Sequence, residues 1–404
     1  MRSIVLSILL TLLALPVAAA PDLSKLTLAP GFKIDVLVEG LDSPRSLAVS
    51  PSGMVFVGTR TNRKRETIGK VYAFQLSADN TRAGEILTIA DGLNVPNGVA
   101  YNDGDLYVAE IDRILKYTNI EKNLASPPKP VTVYDNLPSD FHHGWKFIRF
   151  SPAGKLYVPV GAPCNICEED EQVYYNIQRM NADGSDAEVF AFGVRNTVGF
   201  DWHPDTEHLW FTDNGRDLLG DLLPSDELNH APLKNMHFGY PYCHQGDFPD
   251  PEFGNSSDKH CREFTAPAGK MGPHVAALGM RFYTGEMFPG KYHHQPFIAL
   301  HGSWNRTEEA GHTGGKIVVA HLRNNLMHEM ETIVEGWLRP DNSYIGRPVD
   351  VAVLDDGSML ISDDYAGVIY RLRYEAQNES GLAKALEGVR EPPISVPSTA
   401  GAIR

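Results

Sequence analysis

Short runs of apolar residues, each broken by a turn and followed by a second apolar run, recur along the chain. One copy reads Ser46-Leu47-Ala48-Val49-Ser50-Pro51-Ser52-Gly53-Met54-Val55-Phe56-Val57. The same phrase returns as GVAYNDGDLYVAE from Gly98, FIRFSPAGKLYVPVG from Phe147, GFDWHPDTEHLWFTD from Gly199 and VDVAVLDDGSMLISDD from Val349. An expanded copy runs from Ala277 (ALGMRFY) to Pro296-Phe297-Ile298-Ala299-Leu300. Runs of this length bounded by Gly, Pro and Asp predict strands and tight turns, not helices. Each unit continues with one or two further strands, as in Lys70–Phe74 and Ile86–Ala90. About four short strands in a period of about fifty residues is the pattern of a propeller blade, which must pack against neighbours to bury both faces.

Six such units predict an all-β, six-bladed β-propeller with inserted top-face loops. The strand Phe32–Val38 has no unit of its own and is expected to complete the last blade, closing the ring from both chain ends. Two intervals exceed the period, placing inserts at roughly 214–275 and 301–315, on the face where repeat folds carry binding loops. The propeller is expected over residues 28–374. The remainder, 375–404, reads as a peripheral tail with one short helix-like piece at 381–390. A β-sandwich or a pair of β domains is the competing architecture.

At the other end, Arg2, the apolar run Ile4–Leu15, Pro16 and the small residues Val17–Ala20 read as a signal peptide, residues 1–19, cut after Ala19. That run is short for a bilayer span, so the mature chain is expected to be periplasmic or secreted, with no membrane span. Lys and Arg total 36 against 51 Asp and Glu, a net charge of -15, which argues against nucleic acid as a partner. Export changes the reading of the 4 cysteines, Cys164, Cys167, Cys243 and Cys261. In an oxidising compartment an even number reads as disulfides. Local pairing is simplest, three connectivities remain open, and a four-cysteine zinc site is the rival. Glu168 follows Cys167 where haem attachment needs a histidine.

Three clusters could carry chemistry. Asp140-Phe141-His142-His143-Gly144 sits just before the inner strand of the third unit, where a histidine can act as general base. Gly193-Val194-Arg195-Asn196 stands at the same point one unit later. Arg306 and Arg347 fall at corresponding places further on, and arginines gathered about one axis of an acidic protein suit an anion. Asp213-Asn214-Gly215-Arg216-Asp217 and Ser225-Asp226-Glu227-Leu228-Asn229 supply hard oxygen donors of the kind calcium takes. The run Glu168-Glu169-Asp170-Glu171 reads as a solvated loop.

These motifs together resemble the soluble glucose/sorbosone dehydrogenase family, six-bladed propellers that use pyrroloquinoline quinone (PQQ) and calcium. The resemblance spans roughly Leu28–Tyr374. It is nearest the sorbosone or pyranose dehydrogenase-like branch through His301-Gly302-Ser303-Trp304-Asn305-Arg306 and Ile361-Ser362-Asp363-Asp364-Tyr365-Ala366-Gly367. It implies His143 as catalytic base with Arg195 beside the quinone. It also implies Asn196, Arg306, Arg347, His274 and Trp304 as cofactor contacts, and Gly215, Arg216, Glu227 and Tyr240 around calcium. The substrate it implies is a small sugar or aldehyde, with an external electron acceptor. Pro273-His274 lacks the tryptophan that precedes it in glucose-oxidising members. The family's His-x-Gly-Gly-Arg-like run reads His143-Gly144-Trp145-Lys146-Phe147 here. A calcium-dependent lactonase-type hydrolase and a non-catalytic carbohydrate- or protein-binding propeller are the other two readings.

Overall fold

The computed structural model describes residues 21–60, 68–254 and 258–376. The expected signal peptide and the helix-like piece at 381–390 lie outside the described residues. Six sheets stand around one axis, antiparallel except where the short strand Met236–His237 joins the edge of the third in parallel. Blade 1 runs Pro44–Val49, Met54–Thr59, Gly69–Gln75 and Leu87–Leu93 outwards from the axis. Blade 2 follows with Gly98–Asn102, Asp105–Ala109, Ile114–Tyr117 and Val131–Tyr134. Blades 3, 4 and 5 begin with Arg149–Phe150, Phe200–Trp202 and Ala277–Phe282. In blade 6, Pro348–Val353, Met359–Asp363 and Val368–Tyr374 are completed by Phe32–Val38, paired antiparallel to the last of them. The N-terminal strand thus closes the ring, as its isolation in the sequence implies.

The continuous apolar runs have a direct cause. Both faces of every sheet are covered, so successive side chains of one strand enter different cores. In blade 1, Val55 and Val57 pack with Leu360 and Ile369 of blade 6, while Met54 and Phe56 pack with Val99, Leu106 and Val108 of blade 2. Equivalent clusters fill the other four interfaces. Inner strands also lock to one another by side chain: Asp350 accepts from Leu47 N at 2.9 Å, and Asp201 from Phe282 N at 3.0 Å. The glycine that opens several repeats has a steric reason. A Cβ on Gly199 would lie 2.3 Å from Leu278 O of the next inner strand.

The first insert is smaller than the spacing suggests. Ser225–Ala231 and Gly269–Pro273 are the third and fourth strands of blade 4, so only the stretch between them departs from the blade. The long interval arises because the fourth strand is deferred, which strand spacing alone does not reveal. Both disulfides are local, Cys164–Cys167 and Cys243–Cys261, which resolves the connectivity. No helix among the described residues is long and apolar enough to cross a membrane.

Candidate active site

One mouth of the central channel opens into a cavity of about 580 Å³. Entries to the inner strands form its wall: Arg45 for blade 1, His142, His143 and Trp145 for blade 3, Arg195 and Asn196 for blade 4, His274 for blade 5 and Arg347 for blade 6. Turns that leave the second strands add Arg60, Gly215, Asp217, His301, Trp304 and Asp364. The floor is apolar: Val198 and Leu278 line it and pack with Val349 and Trp145.

His143 is buried, and its ring is fixed. Nδ1 lies 2.9 Å from the carbonyl oxygen of Ala162. A carbonyl only accepts, so Nδ1 carries the hydrogen and Nε2 keeps its lone pair. Burial, reinforced by Arg195, pushes the imidazole well below its ordinary range, so it is neutral at physiological pH. The residue adopts a left-handed backbone, φ 49°, with Gly161 so close that a Cβ there would fall 2.6 Å from the His143 Cβ. Strain of this kind at a cavity wall marks a side chain aimed by the fold.

Four arginines line the cavity, against three carboxylates, in a chain of net charge -15. Arg45 donates to Asn97 Oδ1 and pairs with Asp364 at 2.7 Å. Burial raises the Asp364 carboxyl, but His301 at 2.8 Å and Arg45 outweigh it and hold the group far below the carboxylate range. His301 is itself pushed down to about 4 by burial and so donates as a neutral ring. Arg347 gives Nε and Nη2 to the carbonyls of His301 and Gly302, and no protein partner for its Nη1 is found among the described residues. The Arg60 guanidinium stacks 3.8 Å above the Trp145 ring. Trp304 and Tyr365 stand at the rim, 68% and 60% exposed.

Arg195 is built in more firmly than an anion clamp needs. Nε donates to Asn165 O, Nη1 to Asn214 O and Gly215 O, and Nη2 to Asn165 Oδ1 and Asp217 Oδ2. All five N–H groups have protein acceptors, so Arg195 offers a ligand its charge. Direct donation requires one acceptor to yield, and Asp217 at 3.2 Å is the most distant of the five.

Beside this wall lies a buried acidic pocket. Asp213, Asp226 and Glu227 are all buried. Burial raises all three carboxyls, Asp226 to about 7, and Asp213 raises Glu227 further. Asp213 also accepts from the backbone N–H groups of Arg195 and Asn196, which seats that pair at the cavity. Asp226 Oδ2 and Asn229 Oδ1 have no well-formed hydrogen bond among the described residues, and the N–H groups of Ala276 and Ala277 face Asp226. Orphaned oxygens among acids suit a divalent cation. No group of three or more His, Cys, Asp or Glu side chains among the described residues is placed to hold a metal, so a cation here depends partly on carbonyl oxygens. The Gly215 carbonyl accepts from Arg195, and its second lone pair remains for such an ion.

Of the residues singled out from sequence, His143, Arg195, Asn196, Gly215, His274, Trp304 and Arg347 meet at one cavity. Four do not line it. Arg306 spends its guanidinium on the carbonyls of Gly311, Asp221 and Ala310, bracing two loops to each other. The Arg216 side chain pairs with Asp250 and Glu252. Glu227 receives Asn229 Nδ2 and Gln245 N. The hydroxyl of Tyr240 accepts from Cys167 N at 3.1 Å, beneath the small disulfide loop. Sequence reasoning missed Arg45, Arg60, Asn165 and Asp364. Arg45 had a signal: it stands immediately before the repeat that starts at Ser46, as Asn97 and Lys146 stand before those that start at Gly98 and Phe147. Arg60 and Asp364 had one too, each being the first residue after a second strand, as His301 is, whereas Asn165 lies further along its loop.

The chain is 33% identical over 378 residues to an uncharacterised protein of Borreliella burgdorferi, covering 90% of this chain and 94% of the relative. Among solved structures, the iodide and calcium structures of a Trichoderma reesei family AA12 carbohydrate-active enzyme superpose with TM-scores of 0.73 and 0.71, each at 20% identity. They cover 91% and 90% of this chain and 100% and 99% of theirs. The holo form of the pyranose dehydrogenase PQQ domain from Coprinopsis cinerea gives 0.70 at 18% identity, covering 86% of this chain and 97% of that one. These likenesses show the shared propeller fold. A family model described as TrAA12-like matches residues 26–375, and with that match over nearly the whole described chain, the protein belongs to the TrAA12-like family.

Proposed function

We propose that the protein is an exported oxidoreductase that oxidises a sugar or aldehyde by hydride transfer to PQQ, with calcium as the accompanying ion. The carrying observation is the pairing, in one cavity, of arginines with a buried neutral histidine of fixed tautomer. PQQ bears three carboxylates and, when bound, supplies an electrophilic ortho-quinone that accepts a hydride. The residues fit such a group. Arg347, Arg45 and Arg60 bring positive charge, Asn196 and His274 offer polar edges, and Trp145 offers an apolar face. The acidic pocket at Asp226, Glu227 and Asn229, with the turn carbonyls of Gly215 and Arg216, fits calcium by its orphaned oxygens.

His143 then takes the proton of the substrate hydroxyl at Nε2, while the Ala162 carbonyl holds Nδ1–H and stabilises the imidazolium that forms. Arg195 places fixed positive charge where negative charge develops, an effect strongest in a dry, preorganised wall. The exposed rings of Trp304 and Tyr365 give a sugar a surface to lie on at the rim. The solved structures that share this fold include a pyranose dehydrogenase PQQ domain, which agrees with this reading. The two disulfides agree with an oxidising, periplasmic or extracellular location. The propeller would occupy residues 28–374, with the tail as a peripheral appendage.

The test is dye reduction by purified protein, with and without PQQ and calcium, across aldoses and aldehydes. His143→Ala should lower turnover by about 10²–10⁴-fold while PQQ still binds. A His143→Ala protein that binds PQQ and oxidises sugar at the wild-type rate would overturn the scheme.

A further inference from the structure

Asn165 lies inside the four-residue ring closed by Cys164–Cys167, on the loop between the second and third strands of blade 3. It reaches the cavity wall through every polar group it has to offer there. Its carbonyl oxygen accepts from Arg195 Nε at 2.9 Å, and its Oδ1 from Arg195 Nη2 at 2.8 Å. The same Oδ1 accepts from Asp217 N at 2.8 Å, and its Nδ2 donates to Asp217 O at 3.0 Å. One residue therefore grips the guanidinium by two edges and the backbone of the opposing turn by two more. The loop has its own support: Tyr240 packs beneath it with Ala162 and Tyr175, and its hydroxyl receives Cys167 N.

We propose that Asn165 is a positioning residue for Arg195, and that the Cys164–Cys167 disulfide serves the site by holding Asn165 in place. The inference rests on reading Arg195 as part of an anion-binding wall, and it adds what aims that wall. A short surface loop is ordinarily mobile, and a guanidinium anchored to it would share that motion. The cross-link removes this freedom from the turn bearing Asn165. Two donors of Arg195 then point away from the cavity at fixed acceptors, which sets the plane of the guanidinium. Asp217 is held by the same amide, so its carboxylate stays within reach of Arg195 and of Asn305 Nδ2 at 2.6 Å.

The experiment uses the full mature chain, isotopically labelled at arginine, and follows the Nη2 proton of Arg195 whose acceptor is Asn165 Oδ1, assigned by its loss in Arg195→Lys. In the wild type this proton should exchange slowly. In Asn165→Ala, and in the Cys164→Ser/Cys167→Ser double variant, it should exchange at least tenfold faster while the melting temperature stays near that of the wild type. Asn165→Asp keeps the acceptor for Arg195 and should restore protection. It also serves where Asn165→Ala does not fold. PQQ titrated against the tryptophan fluorescence of each protein should bind about tenfold more weakly to Asn165→Ala, because the guanidinium charge is no longer held in place at the wall. Unchanged Arg195 exchange and a PQQ Kd within twofold of wild type, in a folded Asn165→Ala protein, would overturn the proposal. If the wild type does not bind PQQ, the cofactor reading fails while the exchange measurement still decides the role of Asn165.

Discussion

Lys146 gives the sharpest quantitative test of the packing around the site. It stands three residues after His143, 1% exposed, and among the described residues its Nζ donates only to Gly144 O, at 2.7 Å. Burial pushes the ammonium down from 10.5 to about 7, with Asp140 and Asp112 opposing the fall only partly. A shift of that size corresponds to about 5 kcal/mol between the two protonation states. The folded value lies below the unfolded one, so the unfolded chain binds the extra proton between about pH 7 and 10.5. Stability therefore rises with pH across that window, by about 2 kcal/mol from pH 7 to pH 9 on this group alone. Lys146→Met keeps an unbranched stem and removes the charge, at about 1–3 kcal/mol for the Gly144 carbonyl left unpaired. The net expectation is a variant more stable than wild type at pH 7 by about 1–3 kcal/mol. That advantage should shrink as pH rises. Urea unfolding of both proteins at pH 7, 8 and 9 in chelator isolates the effect, because other titrating groups cancel in the difference. Parallel stability–pH curves for wild type and Lys146→Met would refute the reasoning.

Three further outcomes follow from the same structure. His143 is held well below its ordinary range, so kcat/KM of the PQQ-loaded protein should be flat at neutral pH and fall only on the acid side of 6.5; a limb at or above 6.5 contradicts the assignment. Arg347→Ala removes a donor with no protein partner at Nη1 and should weaken PQQ binding by about 10–100-fold in a fluorescence titration, with turnover at saturating PQQ changed far less. Chelation should lower the melting temperature, and calcium at about 100 times its Kd should restore about 2.7 kcal/mol. Asp226→Asn should abolish that response, and equal responses in the two proteins would place the ion elsewhere.

The blade pattern was legible because it is local. The second strand of every blade has both faces covered, so each repeat must carry a run such as Met54-Val55-Phe56-Val57 between two turns, whatever its neighbours are. Closure by Phe32–Val38 was legible for the same reason, since a ring leaves one strand of a closing blade to the other chain end. The entries to the inner strands were legible too. Repeat phasing brought His143, Arg195 and Arg347 to one axis, and the same phasing contains Arg45.

Other features depended on distance in the chain. Ser225–Ala231 and Gly269–Pro273 belong to one blade although an excursion separates them, and only the hydrogen-bonded register shows it. Arg306 shares a motif with His301 and Trp304, yet its guanidinium turns to Asp221 and Gly311 because the fold brings those loop carbonyls within hydrogen-bond reach. Asn165 belongs to no repeat or motif that the sequence marks. Its importance comes from Arg195, thirty residues on, whose five donors each need an acceptor once buried. The sequence by itself determined the inner strands, the number of blades and the axis on which charge collects, because burial on two faces is written residue by residue. Which donors remain for a ligand was decided only by the tertiary structure, because a buried polar group takes whichever partner the fold brings within about 3 Å.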